Sequence, residues 1–328
     1  MSPSTDRDFL DLSSLLARRR GLTDFFRQIQ DHVARRVGVS NLFVALLEDE
    51  THISFPVVSD ESEEILELGL FPLDGLTAEV IATGRRLWTG EVPDLFEKHR
   101  FLGPRATEWL GIPLIDREGR ALGAFVVQSY TPGFRFDAAD LVYLESVALH
   151  VGLALQLHAF ERERAVRSIA ALVEETTDLE SLYPGIQRIV SGLLPPAAES
   201  FIVARLDEAR GLFRPEYVVD TRETLAGGAW PVGQGLSSYV VGGGGRPFIY
   251  EEGITPLPEG YVVRGEEPVY WLGVPLRIDT VMLGVVIIQT YDRASPLSRD
   301  DLRSLEEIAP SISLAIAKTE LLRHGSHR

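Results

Sequence analysis

The sequence has no cysteine, a single asparagine (Asn41), two lysines and two methionines among its 328 residues. The missing thiols exclude disulfides, thiolate metal sites and cysteine nucleophiles together. Positive charge is also short: 32 Lys and Arg face 48 Asp and Glu, for a formal net charge of −16. Nucleic acid and anionic membrane surfaces both need a basic face, so neither is an expected partner. No uninterrupted apolar run approaches the roughly 18 residues that span a bilayer. At the N-terminus, Asp6, Asp8, Asp11 and Arg18 to Arg20 are interspersed with apolar residues, which leaves no signal-peptide core. The expected location is the cytoplasm.

What is present is a repeat. Trp109 to Tyr130 reads WLGIPLIDREGRALGAFVVQSY, and Trp271 to Tyr291 reads WLGVPLRIDTVMLGVVIIQTY. Each copy passes from Trp-Leu-Gly-Xaa-Pro-Leu through a polar turn to a Leu-Gly pair and a short apolar run, Ala124 to Val127 or Val285 to Ile288. Such runs, rich in Val and Ile and bounded by Gly, predict buried strands. The turn residues Asp116 to Gly119 and Asp279-Thr280 make each copy a β-hairpin within a larger sheet. Gly111, Gly273, Gly123 and Gly284 then mark close backbone approaches or bulges. The repeat extends further: Gly123 maps to Gly284, Gln128 to Gln289, Tyr130 to Tyr291, Leu144 to Leu305 and Glu145 to Glu306, 161 positions apart. Upstream, Asp60 maps to Asp220, Gly75 to Gly235, Gly84 to Gly244 and Arg86 to Arg246, 160 apart. The chain is two copies of one domain, each of about 140 to 150 residues.

These pieces resemble, in order and twice over, the GAF domains of bacterial signalling proteins such as sensor histidine kinases and diguanylate cyclases. The first copy has Phe43-Val-Ala-Leu-Leu-Glu-Asp49 with Ile53-Ser-Phe-Pro-Val-Val-Ser-Asp60, then Gly75 to Arg86, then the WLGIPL hairpin. The second has the same order, with Pro215-Glu216 where the first has Phe55-Pro56. The resemblance covers all but the first twenty or so residues and the tail. It implies an α+β (α/β) fold: a mainly antiparallel sheet of five or six strands flanked by helices in each domain. Without cysteine, neither the thioether-linked bilins of phytochrome-like members nor the thiol chemistry of GAF-fold methionine sulfoxide reductases can operate.

Along the chain, Phe9, Leu12 and Leu16 predict a short amphipathic helix over 6–19. It lies either on its own domain or in a dimer bundle. The first domain follows over 21–157, with a helix from Leu22 to Val37, strands near 42–48 and 52–58, and a helix from Gly75 to Thr83 stopped by Gly84. Between Asp137 and about Glu175 there is no Pro, and Leu141, Leu144, Ala148, Val151 and Leu155 alternate spacings of three and four. That rhythm predicts a coiled-coil seam on one helix of about 38 residues and about 57 Å. Its part over 158–176 is the helical linker between the domains; the alternative is a last helix packed on its own sheet, followed by a separate linker. A capping box, Thr177-Asp-Leu-Glu180, opens the second domain over 177–322. Strands follow near 201–206 and 213–219. The last helix starts at a second box, Ser298 to Asp301, and contains Pro310. The Gly-rich passage from 227 to 245 reads as turns, since it has no Gly-Lys-Ser/Thr. Residues 323–328 form a tail.

No catalytic constellation can be assembled: there is no His-Glu-Xaa-Xaa-His, no Gly-Xaa-Ser-Xaa-Gly and no Walker loop. His150 and His158, eight apart on the long helix, and the tail residues His324 and His327 do not make a metal set, so no metal is expected. Pairs such as Glu63-Glu64 and Glu251-Glu252 read as solvated surface. The Asn-Lys, Phe, Asp-Glu signature of cyclic-nucleotide GAF domains is missing; it is not universal, so these ligands stay open. No cofactor is named by the sequence.

Family architecture implies a pocket between one sheet face and the loops before the WLG hairpin. Its candidates are Phe71, Trp88, His99, Arg105 and Trp109 in the first domain, and Tyr239, Tyr250, Tyr261, Arg264 and Trp271 in the second. Aromatic walls with a few converging polar groups are what a small ligand needs. The chain is thus read as a non-enzymatic, small-molecule-binding tandem sensor, a parallel homodimer with a helical spine. Its expected output partner is a histidine kinase, cyclase or other domain. The alternative is a dimerisation and docking module with filled pockets.

Overall fold

The computed structural model describes residues 3–19, 21–59, 69–98, 104–176, 178–194, 200–220, 222, 228–233, 235–242, 244–257, 259–260, 266–293 and 296–325. It forms two compact units, Met1–Ala159 and Phe160–Arg328. In the first, α1 (Pro3–Arg18) and α2 (Leu22–Val37) lead into β1 (Leu42–Leu47), β2 (His52–Ser59) and β3 (Phe71–Pro72). Then come α3 (Gly75–Thr83), β4 (Leu87–Trp88), α4 (Leu95–Lys98), the hairpin β5 (Glu108–Ile115) and β6 (Ala121–Ser129), and α5 (Ala138–Glu175), which runs past the unit boundary. The six strands pair antiparallel in the order β3-β2-β1-β6-β5-β4.

The second unit repeats the plan with α6 (Leu179–Val190), β7 (Ser200–Asp207), β8 (Leu212–Asp220), β9 (Trp230–Pro231) and α7 (Gly235–Gly242). It closes with β10 (Phe248–Glu251), the hairpin β11 (Tyr270–Ile278) and β12 (Val281–Thr290), and α8 (Arg299–Gly325). Its order, β10-β11-β12-β7-β8-β9, is the same topology, again antiparallel throughout. The chain is two GAF-like folds joined by a long helix.

Two devices of the repeated hairpin explain its glycines. A Cβ on Gly123 would lie 2.0 Å from the Ala45 carbonyl oxygen, and one on Gly284 2.0 Å from that of Ala204, so the central strands approach too closely for any side chain. Trp109 and Gly111 share a face, two residues apart on a strand. The indole folds over the glycine, where a Cβ would meet it at 2.4 Å; at Gly273 the Trp271 ring would be met at 2.2 Å.

Each sheet separates two apolar layers. In the first unit, Phe125 and Val127 face the layer of α1, α2 and α5, while Ala124 and Val126 face the layer of α3. Alternate residues thus enter different cores, which is why the run is apolar throughout. The N-terminal helix lies on its own domain: Leu12 is buried in the long-helix layer. Ser13 Oγ is 3.0 Å from His150 Nε2, and the Phe9 ring meets the His150 ring edge-on at 5.0 Å.

The expected seam is used within the domain. Leu141, Leu144, Ala148 and Val151 belong to the first core and Leu155 packs against it. A three-four rhythm fits a sheet face as well as a partner helix. The same segment makes α5 long and apolar enough, by length and composition, to cross a membrane; many of those apolar positions are the ones that cover the sheet. Past the boundary Ala165, Ile169 and Val173 are buried again. Lys318 Nζ caps the end of α5, donating to the carbonyls of Val173 (2.8 Å), Glu174 (3.0 Å) and Thr176 (3.2 Å).

Two local readings need correction. The cap of α6 is Asp178, which accepts the Ser181 amide at 2.8 Å; Thr177 lies outside the described residues. The ladder pairs Leu87 with Gly111 and Phe248 with Gly273. Arg86 therefore corresponds to Pro247, not Arg246, because the Gly-rich turn after α7 holds one more residue. The Ser298 box forms as expected, with Ser298 N donating to Asp301 Oδ2 at 2.7 Å and Asp301 N to Ser298 Oγ at 3.3 Å.

Gly284→Ala should destabilise the protein by about 2–3 kcal/mol, as an overpacked core site does, measured by urea unfolding. Gly119→Ala, with positive φ but open space, should cost only about 1 kcal/mol. At the β1–β2 turn, Asp49 accepts the amides of Thr51 (2.7 Å) and His52 (2.9 Å). The Thr51 amide foremost, then the Thr51 hydroxyl and the His52 ring, hold its pKa at about 2. A depressed carboxyl stabilises above its unfolded value and loses that contribution as pH falls through the folded one. The gap between wild type and Asp49→Ala should therefore close between about pH 4 and about pH 2, read from acid titration followed by circular dichroism.

Candidate functional site

The site is built on the sheet face opposite the long helices. In the first unit Trp109 is buried there with Leu76, Val80 and Ile81 of α3, and Phe71 packs against the same cluster. Phe71 meets Phe55 at 5.0 Å between ring centroids, and Phe55 meets Phe43 at 5.5 Å. The Arg105 guanidinium sits over the Phe96 ring at 5.2 Å, and Phe96 packs on this cluster too.

Trp88 does not join them. It pairs with Leu110, and directly paired residues share a face. Leu110 belongs to the long-helix layer, and Trp88 packs there. The indole Nε1 donates to Glu108 at 2.6 Å. His99 lies outside the described residues.

In the second unit Trp271 pairs with Tyr250, and both are buried with Leu236 and Val240 of α7. Tyr250 donates its hydroxyl to Glu267 at 3.1 Å. Tyr239 is exposed and meets Phe248 at 4.6 Å, which in turn lies 6.4 Å from Trp271. Tyr261 and Arg264 lie outside the described residues.

A polar row crosses this second face and was not among the sequence candidates. The ladders align Gln289 with Ser200 and Ser200 with Asp220, and Gln289 also with Trp271, so all lie on the α7 side. Gln289 Nε2 and Tyr291 Oη both donate to Asp220 Oδ2 at 3.1 Å. Gln289 also donates to Tyr291 Oη at 2.6 Å. Arg222 lies over the Tyr291 ring at 5.3 Å and bonds Glu266 at 3.0 Å. Between them the Ser200 hydroxyl is buried with no hydrogen-bond partner among the described residues. The first unit repeats the Gln128–Tyr130 bond at 2.9 Å; Asp60 lies outside the described residues. The recurrence of Gln, Tyr and Asp at fixed offsets was the available signal.

Chemically, this is an apolar wall with converging donors and acceptors, which suits recognition. Among the described residues no group of three or more His, Asp or Glu could hold a metal ion. His150 and His158 are buried. His150 is 2.7 Å from the Ser146 carbonyl through Nδ1. Glu251 and Glu252, read as solvated, accept from Tyr270 (3.2 Å) and Arg293 (2.6 Å).

Residues 19–156 match the family model described as GAF domain. The first unit is similar to a GAF domain over those residues. The second repeats its architecture, so the two sheets fit a tandem GAF arrangement. Among solved structures the chain is similar to the GAF domain of a Coxiella burnetii phosphoenolpyruvate-protein phosphotransferase, at 18% identity over 52% of this chain and 99% of that one, with a TM-score of 0.42. It is also similar to the Acinetobacter counterpart, at 19% identity, 48% and 97% coverage and a TM-score of 0.40. A third is the GAF domain of a two-component sensor histidine kinase from Bacillus halodurans, at 15%, with 45% and 99% covered and a TM-score of 0.37. At such identities and TM-scores these likenesses inform neither ligand nor output. A comparison with curated proteins returned no match.

The unpartnered hydroxyl gives a test without knowing the ligand. An unmatched buried polar group costs about 1–3 kcal/mol. Ser200→Ala should therefore stabilise the ligand-free protein by about 1 kcal/mol, whereas Asp220→Ala, which strips Gln289 and Tyr291 of their acceptor, should destabilise it by a similar amount, both in urea titrations.

Proposed function

We propose that the chain is a non-catalytic sensory or regulatory module of signal transduction, in which the second GAF-like domain binds a small molecule. The row of Gln289, Ser200, Asp220 and Tyr291 against Trp271 and Tyr250 carries this reading. A buried hydroxyl with nothing to bond is an opening for a ligand's polar atom, and the aromatic wall suits its apolar part. GAF domains are typically regulatory, which supports the same role. Binding shifts signalling only through its differential affinity for two packings of the long helices.

One observation favours the rival reading for the first domain. There Phe43, Phe55, Phe71 and Trp109 fill the corresponding face with side chains, as a dimerisation or docking module would have it. The two readings divide between the domains: the second senses, and the first supports assembly.

The proposed assembly is a parallel homodimer through α5, on a surface other than the buried seam. Val142, Leu149 and Phe160 are 49%, 56% and 56% exposed and recur at seven and eleven residues, one helical stripe. The proposed outlet is a kinase, cyclase or other output partner, and the proposed location is the cytoplasm.

A metabolite panel read by thermal shift tests the binding. Ligand at about 100 times its Kd adds about 2.7 kcal/mol, a Tm rise of a few degrees that Asp220→Ala should abolish. A panel in which no compound raises Tm, or a rise that survives Asp220→Ala, contradicts the reading. Leu149→Asp with Phe160→Asp should turn a sedimenting dimer into a folded monomer; an unchanged dimer refutes the stripe.

A further inference from the structure

The two domains part company on the long-helix side, at the edge of the sheet where β4 or β10 has just begun. In the first domain Arg86, directly before β4, bridges Glu145 of α5 and Glu91. In the second, the ladder puts Pro247 in the place of Arg86, while Glu306 of α8 stands where Glu145 does. Pro247 can bridge nothing, and Glu306 makes no ion pair among the described residues. Across from it Arg277 replaces Ile115 at the hairpin bulge, and it too has no ion pair.

Between them lies a cleft of about 480 Å3, within the usual range of small-ligand sites, about 300–1,000 Å3. Its charged groups are Glu306 at the helix, with Arg277 and Asp279 at the hairpin; Pro247, Pro275 and Pro310 give it rigid apolar walls. Pro310 adds an acceptor. Having no N–H, it leaves the Glu306 carbonyl without its helical donor. Burial pushes the Glu306 carboxyl above its usual range, against the pull of Arg303 and Arg299.

We propose that this cleft is a second ligand site that takes a free α-amino acid with an apolar side chain. The ammonium sits on the carboxylate and carbonyl of Glu306, the carboxylate on the Arg277 guanidinium, and the side chain against the prolines. Two opposite charges lining one cleft match a zwitterion, and a ligand with only one charge leaves the other unanswered. The first domain has no such site because Arg86 already holds Glu145. The site is independent of the Ser200 row on the opposite face.

Calorimetric titration of the full chain with L-leucine, L-valine and L-proline tests this, with leucinamide and 4-methylpentanoate as single-charge controls. At least one of the amino acids should bind at one per chain, and each control should be weaker by about tenfold or more, the worth of one charge-assisted hydrogen bond. Glu306→Gln and Arg277→Ala should each lose a similar factor, while Asp220→Asn leaves the affinity unchanged. Pro247→Arg should close the site by restoring the pair seen in the first domain. No saturable binding by any of the three, or affinity unaltered in Glu306→Gln and Arg277→Ala with circular dichroism unchanged, overturns the proposal. Binding lost in Asp220→Asn and kept in Glu306→Gln would assign the ligand to the other face instead.

Discussion

The covering of both faces of each sheet is the constraint on which the rest depends. A sheet buried on two sides needs two layers, and neither domain has enough helix on one side to supply both. The long helices therefore take one face, and the short helix with its loops takes the other. The long-helix face is packed with aliphatic side chains, whereas the short-helix face leaves room for polar groups. The glycine at the centre of each sheet, pressed against a neighbouring carbonyl, keeps the two hairpins in the same geometry. Divergence between the domains then falls on side chains rather than on backbone.

That divergence is directional. The first domain fills its short-helix face with phenylalanines and neutralises Glu145 with Arg86. The second replaces packing by a hydrogen-bonded row at Asp220 and an ion pair by an open cleft at Glu306. In each place an interaction complete in one copy is left incomplete in the other, and at Ser200 the incomplete group is a buried hydroxyl, the physical signature of a missing partner. The long helix between them retains its apolar rhythm because it closes one core and is buried again past the boundary.

Much of this was legible in the sequence. The repeat fixed the number of domains, Gly84 ended α3, the Ser298 box started α8, and the Trp-Leu-Gly runs were hairpins. What stayed hidden depended on pairing. The face of Trp88 follows from its partner Leu110, and a two-residue strand leaves no periodic trace from which to read that partner. Ser200 enters the site only because three strands align it with Gln289 and Asp220. The seam was misread for a different reason: spacings of three and four describe a helix on a sheet as well as a helix on a helix. One added residue in a glycine-rich turn exchanged Arg246 for Pro247 at a decisive position, and offsets counted along the chain cannot resolve such a shift.

The central claim is that the second domain holds a small molecule on its short-helix face. Native mass spectrometry of the purified chain, followed by denaturation and identification of whatever is released, tests it most directly. The account predicts a defined organic molecule at one per chain, lost from the Asp220→Ala protein. A chain that flies bare and stays bare after incubation with cell extract would contradict it, and would leave both domains as elements of assembly alone.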